Sequence, residues 1–216
     1  MKLIIGNKNY SSWSLRAWLM LAAHDISFAE EKILLSLPGT AVEIAKFNEA
    51  GKVPVLHDKD LVIWDSLAIC EYISERYLEG RGWPDSLEKR AQARSCAAEM
   101  HSGFFHLRGE MPMNCRAEGR HVERSAALQK DIDRIDDLWQ RLRRENIAEG
   151  PWLFGSFSIA DCMFAPVVFR FASYGVKLSA EAQEYARSLL NHPKMQLWLN
   201  EARQEPEVIE EEEVGS

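Results

Sequence analysis

The sequence predicts a small α/β domain followed by an all-helical one, and three observations carry that expectation. The first eighty residues alternate short apolar runs with helical patterns in the order βαβαββα, which belongs to a small sheet covered by helices. A polar stretch, Glu79-Gly80-Arg81-Gly82-Trp83-Pro84, then interrupts the pattern with glycine and proline. Beyond it the apolar repeats have helical spacing and no strand series follows. The expected division is residues 1–79 and residues 80–216.

In chain order, Leu3-Ile4-Ile5 reads as the first strand, broken by Gly6 and Asn7, and an apolar helical run follows over residues 12–24. Residues 28–34 read as a second strand and residues 43–48 as a short helix. Two further strands, residues 53–57 and 61–64, flank the short turn His57-Asp58-Lys59-Asp60, which makes that pair antiparallel. Residues 66–77 have helical spacing through Leu67, Ile69, Cys70, Ile73 and Tyr77. In the second half, residues 87–111 and 122–146 read as long helices, the latter with Ile132, Ile135, Leu138, Trp139 and Leu142 on one face. Three helices are expected after Gly150-Pro151, over residues 158–174, 180–190 and 194–203. The acidic tail, with four consecutive glutamates, is expected to fray. Ser158-Ile159-Ala160-Asp161 reads as a capping box, with Phe157 and Cys162 at the staple positions, so Asp161 is assigned to folding.

Composition excludes several classes. A net charge of −7 argues against a nucleic-acid backbone binder. No apolar stretch approaches the ~20 residues needed to cross a bilayer, and the N-terminus lacks the features of a secretory signal, so a cytoplasmic location is expected. Cys70, Cys96, Cys115 and Cys162 form no CxxC pair and no zinc spacing with the six histidines. They read as small buried thiols, and no metal site is expected.

Three segments carry possible chemistry. Ser11-Ser12-Trp13-Ser14-Leu15-Arg16 stands where the first strand gives way to a helix, whose free amides and dipole favour an anion such as a ligand's thiolate. Helix capping is the competing use of those serines. Val53-Pro54-Val55 starts a strand with a proline just inside it. A cis bond there would leave the Val53 N–H and C=O free to pair with an extended peptide; an ordinary trans edge-strand proline is the alternative. Asp65-Ser66 precedes the next helix, either as its cap or as a carboxylate and hydroxyl suited to an amino-acid end. Lys52 would meet a further carboxylate.

With these pieces in this order, the chain resembles the cytosolic glutathione transferases. The resemblance rests on the serine cluster, on Gly51-Lys52-Val53-Pro54-Val55-Leu56, on Asp65-Ser66-Leu67-Ala68-Ile69, on the 80–84 linker, and on the 158–161 box before a helical half. The N-terminal motif is similar to the zeta-class pattern SSCSxR. The resemblance implies a thioredoxin-like glutathione-binding domain, a helical second domain and a homodimer. Ser11, with Ser12 the near alternative, would orient the glutathione thiolate. Lys52, Val53 and Pro54 would hold the glycyl and cysteinyl parts, and Asp65 and Ser66 the γ-glutamyl end. The implied reaction is conjugation of glutathione, as co-substrate, to a hydrophobic electrophile of the kind met in detoxification.

The electrophile pocket is expected between the sheet domain and the first long helix of the second half, lined by Trp13, Met100, Phe104, Phe105, Arg108 and Met111. Trp13 stands where the zeta class has cysteine, which counts against the alternative of a maleylacetoacetate-type cis–trans isomerase. A non-catalytic, transferase-like interaction protein is the remaining alternative; the retained Ser11, Lys52 and Asp65-Ser66 count against it.

Overall fold

The computed structural model describes residues 1–215. Its first half is a four-stranded sheet in the order β2-β1-β3-β4, built from β1 (Lys2–Ile5), β2 (Ala29–Lys32), β3 (Val55–Asp58) and β4 (Leu61–Trp64). β1 pairs parallel with β2, reached through helix α1 (Ser12–Ala23), and antiparallel with β3, which pairs antiparallel with β4. As the central strand of this arrangement, β1 is buried on both faces. Leu3 and Ile5 join the main core, while Ile4 meets Ile33, Ile44 and Val55 under the short helix α2 (Thr40–Ala45). That is why three consecutive apolar residues stand there in place of an alternating pattern.

The register brings three connecting segments to one end of the sheet. Ile4 is opposite Val55 and Val55 is opposite Trp64. The end of β1, the start of β3 and the end of β4 therefore coincide, and the segments 6–12, 52–54 and 65–66 all open at one edge of the sheet. Helix α3 (Ser66–Tyr77) starts at that same end, so the N-termini of α1 and α3 both face it.

The second half is helical: α4 (Leu87–Ser102), α5 (Phe105–Glu110), α6 (Ala126–Asn146), α7 (Ile159–Ser173), α8 (Ala180–Leu190) and α9 (Pro193–Ala202). α7 is buried along almost its whole circumference and packs against α1, α3, α4 and α8, which makes it the post joining both halves. α6 buries the face expected from sequence, with Trp139 meeting Phe164, Phe171 and Tyr185 edge-on. The 158–161 capping box forms as expected: Asp161 accepts from the Ser158 N–H at 2.8 Å and from its hydroxyl at 3.0 Å. It also reaches the Leu153 N–H at 3.2 Å. All four cysteines are buried and free. No helix of the described residues is long and apolar enough to cross a membrane.

Three expectations need correction. The helix expected over residues 87–111 is two helices. Gly103 is extended, a β-carbon there would lie 2.8 Å from the Glu99 carbonyl oxygen, and Phe104 takes a left-handed φ of 56° before α5 begins. α6 starts at Ala126 because the Ser125 hydroxyl caps the Leu128 N–H at 3.0 Å. The acidic tail is held, not frayed. Glu205 accepts from the Lys8 and Asn9 amides, Ile209 is buried, and Glu213 accepts from Tyr10 and Asn114 and pairs with Arg120. Charge alone suggested solvation; opposite charge and backbone donors supplied from residues 8–10 and 114–120 changed the outcome.

Candidate active site

Gly6 allows the loop after β1 to fold tightly onto the start of α1. A β-carbon there would lie 2.5 Å from Leu35 Cδ1 and 3.1 Å from Ser11 Cβ. The Gly6 N–H donates to Ser14 Oγ at 3.0 Å, and the Ser11 and Ser14 hydroxyls are hydrogen-bonded at 2.7 Å. Ser11 is the N-cap residue of α1, yet its side chain caps no amide. The hydroxyl instead donates to Ser14 Oγ, which also accepts from the Gly6 N–H, beside the start of the helix. Ser11 is buried, whereas Ser12, the first residue of the helix, is half-buried and opens further outward.

The Val53–Pro54 peptide is cis, and neither the N–H nor the C=O of Val53 has a hydrogen-bond partner among the described residues. Asn48 Nδ2 donates to the Lys52 carbonyl at 3.0 Å and so pins the residue before Val53. The Lys52 side chain is exposed. Asp65 has a left-handed φ of 72° and accepts from the Leu67 and Ala68 amides at 2.9 and 3.2 Å. Such a backbone conformation is rare outside glycine and recurs where a site imposes it. Only Oδ1 serves the helix; Oδ2 lies 3.2 Å from His101 Nε2. Ser66 is buried, and its hydroxyl has no partner in the chain.

Trp13, on α1, is half-buried against residues of α4 and α5. Two guanidinium groups lie over its indole, Arg16 Cζ at 4.4 Å and Arg108 Cζ at 4.7 Å from the ring centre, with His101 edge-on at 5.2 Å. Of the expected pocket residues, Trp13 and Arg108 are half-buried and Phe105 is exposed. Met100 and Met111 are corrections: both are 0% exposed in the core, because α4 turns the Met100 face onto α7, and neither has surface to offer a ligand. Phe104 is buried at 7% exposure and packs in the same core.

Both halves of the chain match models of one family: the N-terminal domain of glutathione S-transferase over residues 10–76 and its C-terminal domain over residues 122–201. The chain belongs to the glutathione S-transferase family. This family member is similar to glutathione S-transferase GstB of Escherichia coli strain K12, 25% identical over 164 residues, or 74% of this chain and 73% of that one. It is likewise 25% identical over 186 residues to a stringent starvation protein A homolog of Pasteurella multocida, covering 77% and 80% of the two chains. In fold it is similar to a glutathione transferase homologue from Burkholderia solved with glutathione bound, with a TM-score of 0.72, 22% identity and coverage of 94% and 98%. It is similar as well to a zeta-class bacterial maleyl pyruvate isomerase, with a TM-score of 0.71, 19% identity and coverage of 97% and 100%.

Three features of this transferase-family site went unassigned in the sequence. His101 reaches back from α4 to Asp65, a contact across the two halves that no local spacing signals. Arg16 and Arg170, from α1 and α7, lie buried, and their like charges repel each other and Arg108. Arg16 was visible as the end of the serine motif, but its lack of a carboxylate partner was not. The tail contacts at Lys8, Asn9 and Tyr10 brace the loop that carries Ser11.

Proposed function

We propose that the chain is a glutathione transferase in which Ser11 donates a hydrogen bond to the glutathione thiolate for attack on an electrophilic carbon. The observation that carries this reading is a set of groups gathered at one end of the sheet: the unpaired Val53 N–H and C=O and the partnerless Ser66 hydroxyl, beside a Ser11 hydroxyl that caps no amide. Buried polar groups are ordinarily paired, so a free hydroxyl and a free backbone pair beside two helix N-termini mark a place for an extended, charged peptide. The Val53 N–H and C=O suit the cysteinyl unit. Ser66 and Asp65 Oδ2 suit the carboxylate and ammonium of the γ-glutamyl end, and Lys52 suits the glycyl carboxylate.

Thiol activation follows from charge. A free thiol near pKa ~8.5 is only a few per cent ionised at neutral pH. In the glutathione-free chain the Ser11 hydroxyl donates to Ser14 Oγ at 2.7 Å; with glutathione bound that proton would turn to the sulfur and favour the thiolate, with the α1 dipole acting in the same direction. Sulfur then attacks the electrophile, the leaving group departs with its electron pair, and a thioether remains. Ser12 is the competing donor. An indole in place of the zeta-class thiol favours conjugation over isomerisation.

Calorimetric titration tests the assignment. Glutathione is expected to bind saturably, with turnover of chlorodinitrobenzene, and the dipeptide cysteinylglycine at least about tenfold more weakly because it lacks the charged γ-glutamyl end. Equal affinities would remove Asp65 and Ser66 from the site.

We also propose that two copies pair through the edge of the sheet. Leu61, Val62 and Trp64 on β4 are exposed, as is Tyr77 at the end of α3, while Phe105 at 70% exposure offers a matching apolar contact on the helical half. Asp65-Ser66 would lie near that contact. Light scattering is expected to give twice 24.7 kDa at micromolar concentration, and Trp64→Glu to give a single subunit's mass. A single subunit's mass for the wild type would count against the pairing.

A further inference from the structure

The loop that carries Ser11 is buried and is held from the far end of the chain. Residues 7–11 lie between the end of β1 and the start of α1, and each of them is buried. Buried amides and carbonyls there need partners that no neighbouring strand or helix supplies. One carboxylate serves two of them: Glu205 accepts from the Lys8 N–H on Oε1 at 2.8 Å and from the Asn9 N–H on Oε2 at 3.0 Å. The Lys8 carbonyl accepts from the Trp198 indole N–H at 2.9 Å, and the Asn9 carbonyl from the Cys115 N–H at 3.1 Å. The chain then turns on the Asn7 carbonyl, which accepts from the Tyr10 and Ser11 amides at 3.2 and 2.8 Å and delivers Ser11 to α1.

Glu205 is itself fixed. It is 6% exposed, Lys32 Nζ pairs with it at 3.1 Å, and Arg116 donates to its carbonyl while turning Nη2 to the Tyr10 hydroxyl at 2.9 Å. Both carboxylate oxygens are committed to backbone donors in charge-assisted hydrogen bonds, which leaves the loop less freedom than water at the same amides. A hydroxyl that is to meet a sulfur must be placed to within about 0.5 Å, and a loop does so only when its own backbone is held. We propose that Glu205 is a positioning residue for thiol activation: it clamps the Lys8 and Asn9 amides and so fixes the Ser11 hydroxyl where the glutathione sulfur lies. This rests on Ser11 as the thiolate's donor and deepens that reading by placing its control in the segment after α9. Glu205 acts through the loop alone. Its own negative charge disfavours a nearby thiolate. Geometry and charge therefore predict opposite consequences of neutralising it.

Glu205→Gln tests this by sign, since it removes the charge and leaves one acceptor oxygen for two amides. The thiolate pKa of bound glutathione, read by absorbance against pH, should rise by about 0.5–1. Turnover at neutral pH should fall about three- to tenfold, with glutathione affinity changed less than about threefold at a pH where the thiol is neutral. Glu205→Asp, which keeps the charge on a shorter arm, should give a smaller rise, and it carries the test if Glu205→Gln fails to fold. Glu211→Gln, the same charge change at an exposed tail position, should leave the titration unchanged. Hydrogen exchange without glutathione reads the loop itself: in Glu205→Gln the amides of residues 8–11 should be accelerated at least about tenfold more than those of α7. A thiolate pKa that falls in Glu205→Gln, or stays put while Ser11→Ala shifts it, overturns the proposal. Loop exchange accelerated no more than that of α7 marks a merely structural role and overturns it too. A titration unmoved by Ser11→Ala would instead remove the thiolate reading, and this proposal with it.

Discussion

Replacing Ser11 with alanine is expected to raise the pKa of bound glutathione by about one to two units while changing glutathione affinity, measured where the thiol is neutral, by less than about threefold. A charge-assisted hydrogen bond contributes about 1.5–3 kcal/mol, and each pKa unit corresponds to about 1.4 kcal/mol. Thiolate absorbance titrated against pH in the complex reads the shift, and turnover at neutral pH should fall roughly ten- to a hundredfold with it. The asymmetry arises because the hydroxyl favours the charged sulfur far more than the neutral thiol. Ser14→Ala should give a smaller shift in the same direction, since it removes the hydroxyl that orients Ser11 and leaves Ser11 itself in place. An unchanged titration in Ser11→Ala, with the shift appearing in Ser12→Ala, would move the donor role to Ser12.

Asp161→Ala is expected to destabilise the fold by about 2–4 kcal/mol, because two buried amides, Leu153 and Ser158, lose their acceptor. The loss should also depend on pH. Burial raises the Asp161 carboxyl from 3.8 to about 6, against the opposing pull of the Leu153 and Ser158 amides. The folded chain thus binds this proton more tightly than the unfolded chain does. The group's proton-linked contribution is fully present below about pH 3.8 and is lost as the pH rises through about 6. Urea unfolding at pH 5 should therefore show a larger gap between wild type and variant than at pH 7.5, by about 1 kcal/mol. A gap independent of pH would mean that Asp161 is ionised alike in both states.

Much of the fold was legible because its signals are local. Gly6 and Asn7 ending an apolar run, the short turn after His57 and the helical spacing of Ile132 to Leu142 each concern residues near in sequence. Their physics is hydrophobic periodicity and turn chemistry. The capping box at Ser158 was legible for the same reason. Where the structure departs from the local pattern, the cause is a backbone state or a distant contact. The break at Gly103-Phe104 follows from a left-handed residue that apolar spacing does not encode. Met100 and Arg108 carry similar helical cues, yet one faces α7 in the core and the other opens toward Trp13.

The sequence by itself determined the order of elements, the serine cluster before α1, the placement of Pro54 and Asp65-Ser66, and through them the resemblance to glutathione transferases. Strand register then decided that these segments share one edge of the sheet, since pairing Ile4 with Val55 and Val55 with Trp64 is a long-range choice. Tertiary structure alone decided that the acidic tail is held by residues 8–10 and 114–120, that His101 meets Asp65, and that Arg16, Arg108 and Arg170 come together without a counter-charge. The physical reason is the same in each case. A charged residue's environment depends on which distant groups surround it, and spacing along the chain carries no record of that.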